Sequence, residues 1–298
     1  MAALALAGGG ACSRSEAPAA VPAVAPPCVP TTLTAPASEP AATAAPGATS
    51  PDDRPPEAAP KAGRLALRFE PTEHRKLDAL TREVGGSDLL AQVTRDIDRA
   101  VALPKDVALV FADCGTDNAF YDDENATVTM CWELMGSMRD NMRREYRDPR
   151  DARDALYGAA LFTLIHELGH AYVDLLDLPI TGKEEDAVDQ LATFMLVDSG
   201  DSGVEMALDG ALSFVHDAEA EAQEAGEDAE PATWDEHATS EQRFFNVICW
   251  IYGSDPAAHS DLLESHGGAL PDERADLCPD EWRRLSRAWT TLLAPFGR

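Results

Sequence analysis

Two histidines and a glutamate stand at a spacing that can bind and activate a metal ion. Residues 166–170 read His-Glu-Leu-Gly-His. On a helix, His166 and His170 project from the same face about one turn apart, so both imidazoles can reach one ion. Glu167 cannot be a third ligand from that face, but it can take a proton from metal-bound water, whose pKa the metal lowers. The motif therefore predicts a catalytic Zn²⁺ site with two ligands and a general base.

A catalytic zinc ion usually has a third protein ligand and one open position. The metzincin pattern would need Gly at position 173 and His or Asp at 176, but the chain has Val and Leu there. The other source is a carboxylate on the following helix, and we rank Glu185 first, Asp189 second and Asp186 third. With Glu185 on the metal, Asp189 would hydrogen-bond the remote nitrogen of a ligand histidine, while Glu184 and Asp186 would point away. An ordinary acidic helix N-terminus is the alternative interpretation of this run.

The two segments resemble a known class of enzymes. Residues 161–192 look like the gluzincin branch of the zincin metallopeptidases, with HExxH on one helix and Glu-x-x-x-Asp on the next. More widely, residues from about 65 to 290 resemble a bacterial domain-of-unknown-function family described as candidate metallopeptidases. The stretches that carry this likeness are 166–170, 184–192, 235–237 with 242–244, and 249–256. The resemblance implies a zincin-like fold, zinc as the cofactor and a peptide or protein as the substrate.

The resemblance also implies two further elements of the site. Residues 126–132 would be the edge strand along which a substrate peptide lies. His237 would donate to the oxyanion of the tetrahedral intermediate, although a solvated surface histidine is the alternative. Tyr172 and Tyr252 are weaker candidates for this donor, and we predict that the remaining downstream histidines lie on the surface: His216, His259 and His266.

The function that these residues predict is hydrolysis of peptide bonds by metal-activated water. His166, His170 and Glu185 would hold zinc, and Glu167 would act first as base and then as acid toward the leaving amine. Two rival functions fit the same sequence. One is a catalytically silent zinc-binding surface lipoprotein that binds a peptide or protein partner. The other is an exported structural or adhesive domain without a metal, in which the motif is accidental.

Composition narrows the possible partners. The chain has 298 residues and a formal net charge of −29 at pH 7. Nucleic acids and anionic lipid surfaces both require clustered Lys and Arg, so neither is an expected partner. Membrane contact is expected only through a lipid anchor, and the oligomeric state is not predicted.

The N-terminal part differs in composition from the rest. Residues 1–12 look like the end of a bacterial lipoprotein signal, with small residues before Cys12, although the basic n-region is missing. Residues 13–63 are rich in Ala and Pro and are interpreted as a flexible tether before a metallopeptidase domain at 64–298. This organisation predicts an exported, lipid-anchored protein at the cell surface or in the periplasm. An Ala/Gly-rich disordered end is the alternative.

Four cysteines in the folded part allow three pairings. Pairs that are local in sequence, Cys114 with Cys131 and Cys249 with Cys278, are favoured because each brackets a plausible hairpin or helix pair. Free buried thiols are the alternative. Because none forms a CxxC pair, a cysteine zinc site is not expected.

The order of predicted elements indicates an α+β fold, with a small mixed sheet before a helix-rich half that bears the HExxH helix. Strands are predicted at 65–69, 107–112 and 126–132, with a short one at 118–121. Ser87 is predicted to cap the first helix. The predicted helices cover residues 87–102, 134–146, 153–176, 184–197, 240–252 and 282–293. The Ala/Glu run at 217–230 is interpreted as a solvated helix or a loose insertion.

Overall fold

The structure is a computed structural model that describes residues 62–225 and 234–298. Our predictions for the signal at 1–12, for lipid on Cys12 and for nearly all of the tether lie outside the described residues. The described strands are β1 Leu65–Phe69, β2 Val107–Ala112, β3 Ala119–Asp122 and β4 Thr127–Cys131. The helices are α1 Asp78–Gly85, α2 Asp88–Ala100, α3 Trp132–Glu145, α4 Pro149–Leu175, α5 Glu184–Asp198, α6 Asp201–Ala225, α7 Ser240–Ser254, α8 Asp272–Ala275 and α9 Cys278–Leu293. The predicted α+β class is confirmed.

The four strands form one mixed sheet in the order β1-β2-β4-β3. β1 and β2 are parallel, β2 and β4 are parallel, and β3 is antiparallel to β4. The prediction of residues 126–132 as an edge strand is therefore wrong, because β4 is paired on both sides. The edge strand on that side of the sheet is β3, which pairs with β4. Strand order depends on long-range pairing, which alternation within one strand does not encode.

Helix α4, which carries the HExxH motif, starts earlier than the predicted residue 153. The side chain of Asp148 accepts a hydrogen bond from Arg150 N and caps the helix, and Pro149 stands in its first turn. A capping Asp followed by Pro is a common helix start, because Pro has no N–H to leave unsatisfied.

Helix α6 was not predicted over its first sixteen residues. The chain there reads Asp-Ser-Gly-Val-Glu, which has poor helix propensity at its start. Burial of Ala207, Ala211 and Phe214 packs this helix into the core, and tertiary contacts outweigh the local propensity. The finding matters because α6 forms one wall of the site described below.

One hydrophobic core joins the sheet to the helices. Phe111 of β2 and Trp132 at the start of α3 pack with ring centroids 5.4 Å apart. Trp289 of α9 is buried in the same core. Both predicted disulfides are present, Cys114–Cys131 and Cys249–Cys278. Within the described ranges, no helix is both long and apolar enough to span a membrane.

Candidate metal centre

Close packing of α4 against α5 brings the motif and the acidic run together. A Cβ atom on Gly169 would lie only 2.8 Å from Val188 Cγ1, so only glycine fits at this contact without displacement. Val188 is fully buried. Because Gly169 lies between Glu167 and His170, the closest approach of the two helices falls at the motif itself.

Three side chains converge where the two helices meet: His166, His170 and Glu185. One ligand atom from each lies within 4.8 Å of the others. Glu185 Oε2 is 3.2 Å from His166 Nε2, and Glu185 Oε1 is 3.4 Å from His170 Nε2. Two atoms bound tetrahedrally to zinc at 2.0–2.1 Å are about 3.3 Å apart. The spacing therefore fits one zinc ion between these three groups.

The hydrogen bonding of Glu185 supports the same conclusion. Its Oε2 atom is buried, and two imidazole nitrogens lie close to it, His166 Nε2 at 3.2 Å and His237 Nε2 at 3.0 Å. A buried carboxylate needs a positive partner, which protonated imidazoles or a metal ion can supply. Two imidazoles and a carboxylate are also a donor set that zinc commonly takes in catalytic sites. The residues present fit a zinc ion.

A buried network holds His166 in place. His166 Nδ1 lies 2.8 Å from Asp189 Oδ1, as predicted for a residue that fixes the ligand tautomer. Asp189 accepts two further hydrogen bonds from Arg243, from Nε at 2.8 Å and from the guanidinium Nη2 at 2.7 Å. The guanidinium stacks on Phe214, with its central carbon 4.1 Å from the ring centroid. The network leaves Nε2 of His166 directed toward Glu185.

The charges in this network shift the pKa values of its members. Burial alone would raise the pKa of Asp189, but the hydrogen bonds and charge of Arg243 and His166 hold it below its ordinary value. Burial alone would lower the pKa of His166, but Asp189 and Glu185 raise it to about 9. Without a metal, His166 is therefore protonated at neutral pH. A cation would take the place of that proton.

His170 has a similar support, which contradicts one prediction. Its Nδ1 lies 2.8 Å from Glu184 Oε1, so Glu184 faces the site instead of pointing away. Glu184 is the first residue of α5 and precedes Glu185 by one position. The side chain reaches His170 from the end of the helix, where the periodicity of a helix interior does not apply. Each histidine of the motif thus has a carboxylate on its remote nitrogen.

Glu167 has the environment that a general base needs. Only 8 % of the residue is exposed, and it lines the same cavity as His166, His170 and Glu185. Burial raises its pKa above the usual range, and the positive charges of His166 and His170 offset part of that increase. A carboxylate whose pKa lies nearer neutrality can both accept and return a proton.

His237 lies at the site, although it is half-exposed. Its Nε2 atom is 3.0 Å from Glu185 Oε2, and its Nδ1 atom is 3.3 Å from Asp235 Oδ1. The carboxylate of Glu185 raises the pKa of His237. Lys183 donates to the backbone oxygens of Asp235 and His237, which ties this loop to the start of α5. Of the weaker candidates, Tyr172 is buried in the core and does not line the cavity.

The site opens into a cavity of about 720 Å³. Residues 118–121, which include the start of edge strand β3, form one wall, and α6 forms another through Gly210, Ser213, Phe214 and Asp217. Phe120 on β3 is 40 % exposed, unusual for a large apolar side chain in this chain. The cavity has a strand edge on one side and apolar rings on the other, which are features that peptide-binding clefts share.

Sequence reasoning assigned no role to Arg243 and none to α6. Arg243 was noted only as part of a family-like stretch, and it lies 54 residues beyond its partner Asp189. The prediction that His216 is a surface residue is wrong, because only 5 % of it is exposed. His216 lies on the buried face of α6, within the part of this helix that the sequence did not predict.

A second group of metal-type side chains, His74, Asp113 and Glu133, lies on other elements. Both of its carboxylates already accept structural hydrogen bonds. Glu133 accepts from the backbone N–H groups of Cys114 and Gly115, and Asp113 accepts from Thr72 Oγ1 and Glu73 N. The arrangement is explained by loop fixation, whereas the Glu185 carboxylate lies against two imidazole nitrogens at zinc-ligand spacing.

The geometry brings together two histidines and a carboxylate that could hold a metal ion. Comparison with known families agrees. The family model described as "Putative metallopeptidase" matches residues 69–293, and the chain belongs to this family. The family implies a metal. No curated protein and no solved structure matches the chain.

Proposed function

We propose that the chain is a zinc-dependent peptidase. The observation that carries this proposal is the convergence of His166, His170 and Glu185 at zinc-ligand spacing beside the buried, unpaired carboxylate of Glu167. Metallopeptidase family membership supports it. Zinc is favoured over harder cations because two of the three groups are imidazoles.

His166, His170 and Glu185 would hold the ion, with Asp189 and Glu184 orienting the two imidazoles. When bound, zinc would lower the pKa of a coordinated water molecule and polarise the carbonyl of the bond to be cleaved. Glu167 would take the proton from the attacking water and return it to the leaving amine. Burial raises the pKa of Glu167 above its ordinary value, which favours the return of the proton more than an exposed carboxylate would.

His237 is proposed as the group that stabilises the oxyanion. It lies at the mouth of the cavity within 3.0 Å of Glu185, and its raised pKa favours the protonated form that can donate. The unpaired edge of β3 would take an extended substrate by backbone hydrogen bonds, in the role that we first assigned to residues 126–132.

We also propose that the protein acts outside the cytoplasm, anchored through Cys12. The two disulfides support this location, because disulfides persist in oxidising compartments. The substrate would then be a peptide or an exported protein.

The test is a digest of a mixed peptide library by the full chain, followed by mass spectrometry. Zinc-loaded wild type should cleave, while metal-stripped protein and the Glu167→Gln variant should not. Glu167→Gln should retain as much zinc as wild type, because Glu167 is not a ligand. Equal cleavage by Glu167→Gln and wild type would refute the mechanism. Full zinc binding without any cleavage by wild type would favour the zinc-binding lipoprotein instead.

A further inference from the structure

The cavity is lined by several acidic residues in addition to the proposed zinc ligand Glu185. Five more carboxylates line it, each from a different segment: Asp117, Asp123, Asp174, Asp217 and Glu236. In the part of the chain that the structure describes, Arg243 is the sole Arg or Lys lining the cavity. Its guanidinium is already committed to Asp189. Three histidines also line the cavity, but its eight carboxylates outnumber the four side chains that can be cationic, so the wall has an excess of negative charge.

The hydrogen bonds of these carboxylates do not change that charge. Asp117 accepts from the Ser137 hydroxyl and Asp174 accepts from the Tyr121 hydroxyl, and both donors are neutral. Hydroxyl partners orient a carboxylate without supplying a counter-charge. A cationic group in the cavity would meet several acceptors that are already in position.

Asp217 has the surroundings best suited to a long cationic side chain. It lies one turn after Phe214 on α6, and Phe214 packs edge-on against Phe162. Both rings line the cavity. Although solvent reaches the Asp217 side chain, the protein around it removes enough water to raise its pKa to about 6. Because Phe162 and Phe214 are nearly buried and Arg243 stacks on Phe214, the methylene stem of Lys or Arg would meet only the exposed rims of the rings, while its charged end pairs with the Asp217 carboxylate.

A second observation marks this cavity as a ligand site. Glu167 is more than nine-tenths buried, lines the cavity and has no side-chain hydrogen bond to a described residue. A buried polar group in that state is aimed at something that the protein itself does not supply.

We propose that the cleft selects peptides with Lys or Arg close to the scissile bond, and that Asp217 is the specificity-determining residue. Acidic residues at the same positions would be repelled by the excess of carboxylates that line the cavity. The inference rests on the proposed peptidase function, and it adds the substrate class.

The test uses the full zinc-loaded chain and the best-cleaved peptide from the library. Versions of that peptide with Lys, Gln or Glu beside the cleaved bond are compared by kcat/KM. We expect the order Lys, then Gln, then Glu. Asp217→Asn should reduce the Lys-to-Gln ratio about fivefold, the upper range for one solvent-accessible ion pair. The control is Asp276→Asn, an exposed residue outside the cavity that changes the net charge by the same amount and should leave the ratio unaltered.

A binding measurement separates the failure of this inference from that of the proposed function. Fluorescent Lys-containing and Glu-containing pentapeptides are titrated into Glu167→Gln protein with and without Asp217→Asn. Weaker binding of the Lys peptide on Asp217→Asn, and not on Asp276→Asn, supports the inference even if wild type cleaves nothing. Cleavage without any preference for Lys or Arg, or equal effects of the two Asp variants, would overturn it and leave the peptidase proposal standing.

Discussion

Replacing Asp189 with Asn should weaken zinc binding by about 10- to 100-fold, the usual range for removal of a group that orients a metal ligand. The Asp189 side chain is 3 % exposed and lies 2.8 Å from His166 Nδ1. Hydrogen bonds to a charged group contribute about 1.5–3 kcal/mol and neutral ones about 0.5–1.5 kcal/mol. Replacing the charged hydrogen-bond partner of His166 with a neutral one therefore costs roughly 1–1.5 kcal/mol, which is about tenfold in zinc affinity. A changed His166 tautomer would add to that loss.

The same substitution should destabilise the metal-free fold. Asp189 neutralises Arg243, whose side chain is only 17 % exposed. A buried cation without its partner costs about 3–5 kcal/mol. Replacing both residues with apolar ones, Asp189→Leu with Arg243→Met, should recover most of that stability, because the unpaired charge is gone. Zinc binding should stay weak, since His166 still lacks an acceptor.

The assays are competition with a chromophoric zinc chelator and urea unfolding of metal-free protein. The matched control is Asp186→Asn, which lies on α5 outside the ligand group. Zinc affinity of Asp189→Asn equal to that of Asp186→Asn would refute the orienting role. Recovery of zinc affinity together with stability in the double variant would show that Asp189 acts only through folding.

Four other predictions follow from the packing, the charges and the cross-links. Gly169→Ala should destabilise the fold by about 1–3 kcal/mol and reduce zinc affinity, because the new methyl group meets Val188 at 2.8 Å and separates α4 from α5. Unchanged zinc affinity in Gly169→Ala would show that the helix spacing is not limiting. Zinc affinity should increase as pH rises from 6 toward 9, because His166, with its pKa raised to about 9, must lose a proton to bind. In metal-free protein, the contribution of His166 to the free energy of unfolding should show the opposite trend. Because the pKa of His166 is raised in the folded protein, this contribution is fully present below about pH 6.5 and is lost as the pH rises through 9. Urea unfolding in the presence of a chelator would detect this loss. Replacing Cys249 and Cys278 with Ala should cost about 3–4 kcal/mol, as the loop spans 29 residues, and unfolding with and without the bond measures it.

The centre of the site was predictable because its spacing is local. His166, Glu167 and His170 are fixed by one helix, and Glu185 with Asp189 by the next, so periodicity predicted that Glu185 and Asp189 share a face, and the structure places Asp189 on His166. The contact of Glu184 with His170 was not predicted, because Glu184 stands at a helix end, where helix periodicity does not apply. The contact of Arg243 with Asp189 was not predicted, because Asp189 lies 54 residues earlier and one Arg on a predicted helix has many possible partners.

The strand and the helix that form the cavity walls were less predictable from the sequence than the group of His166, His170 and Glu185. The order of β3 and β4 in the sheet is set by pairing between separate segments, and helix α6 begins in a stretch whose propensity favours a loop. Both errors concern substrate binding more than zinc binding. Asp217 and Phe214, which shape the proposed specificity, lie on the helix whose first part was missed.

The position of the metal tests the central claim most directly. We predict that a zinc-loaded crystal of the full chain, measured at the zinc absorption edge, gives its strongest anomalous peak between His166, His170 and Glu185. That peak should lie about 2.0–2.2 Å from His166 Nε2, His170 Nε2 and a Glu185 carboxylate oxygen. No peak at that position, or a stronger one at His74, Asp113 and Glu133, would contradict the proposed metal centre.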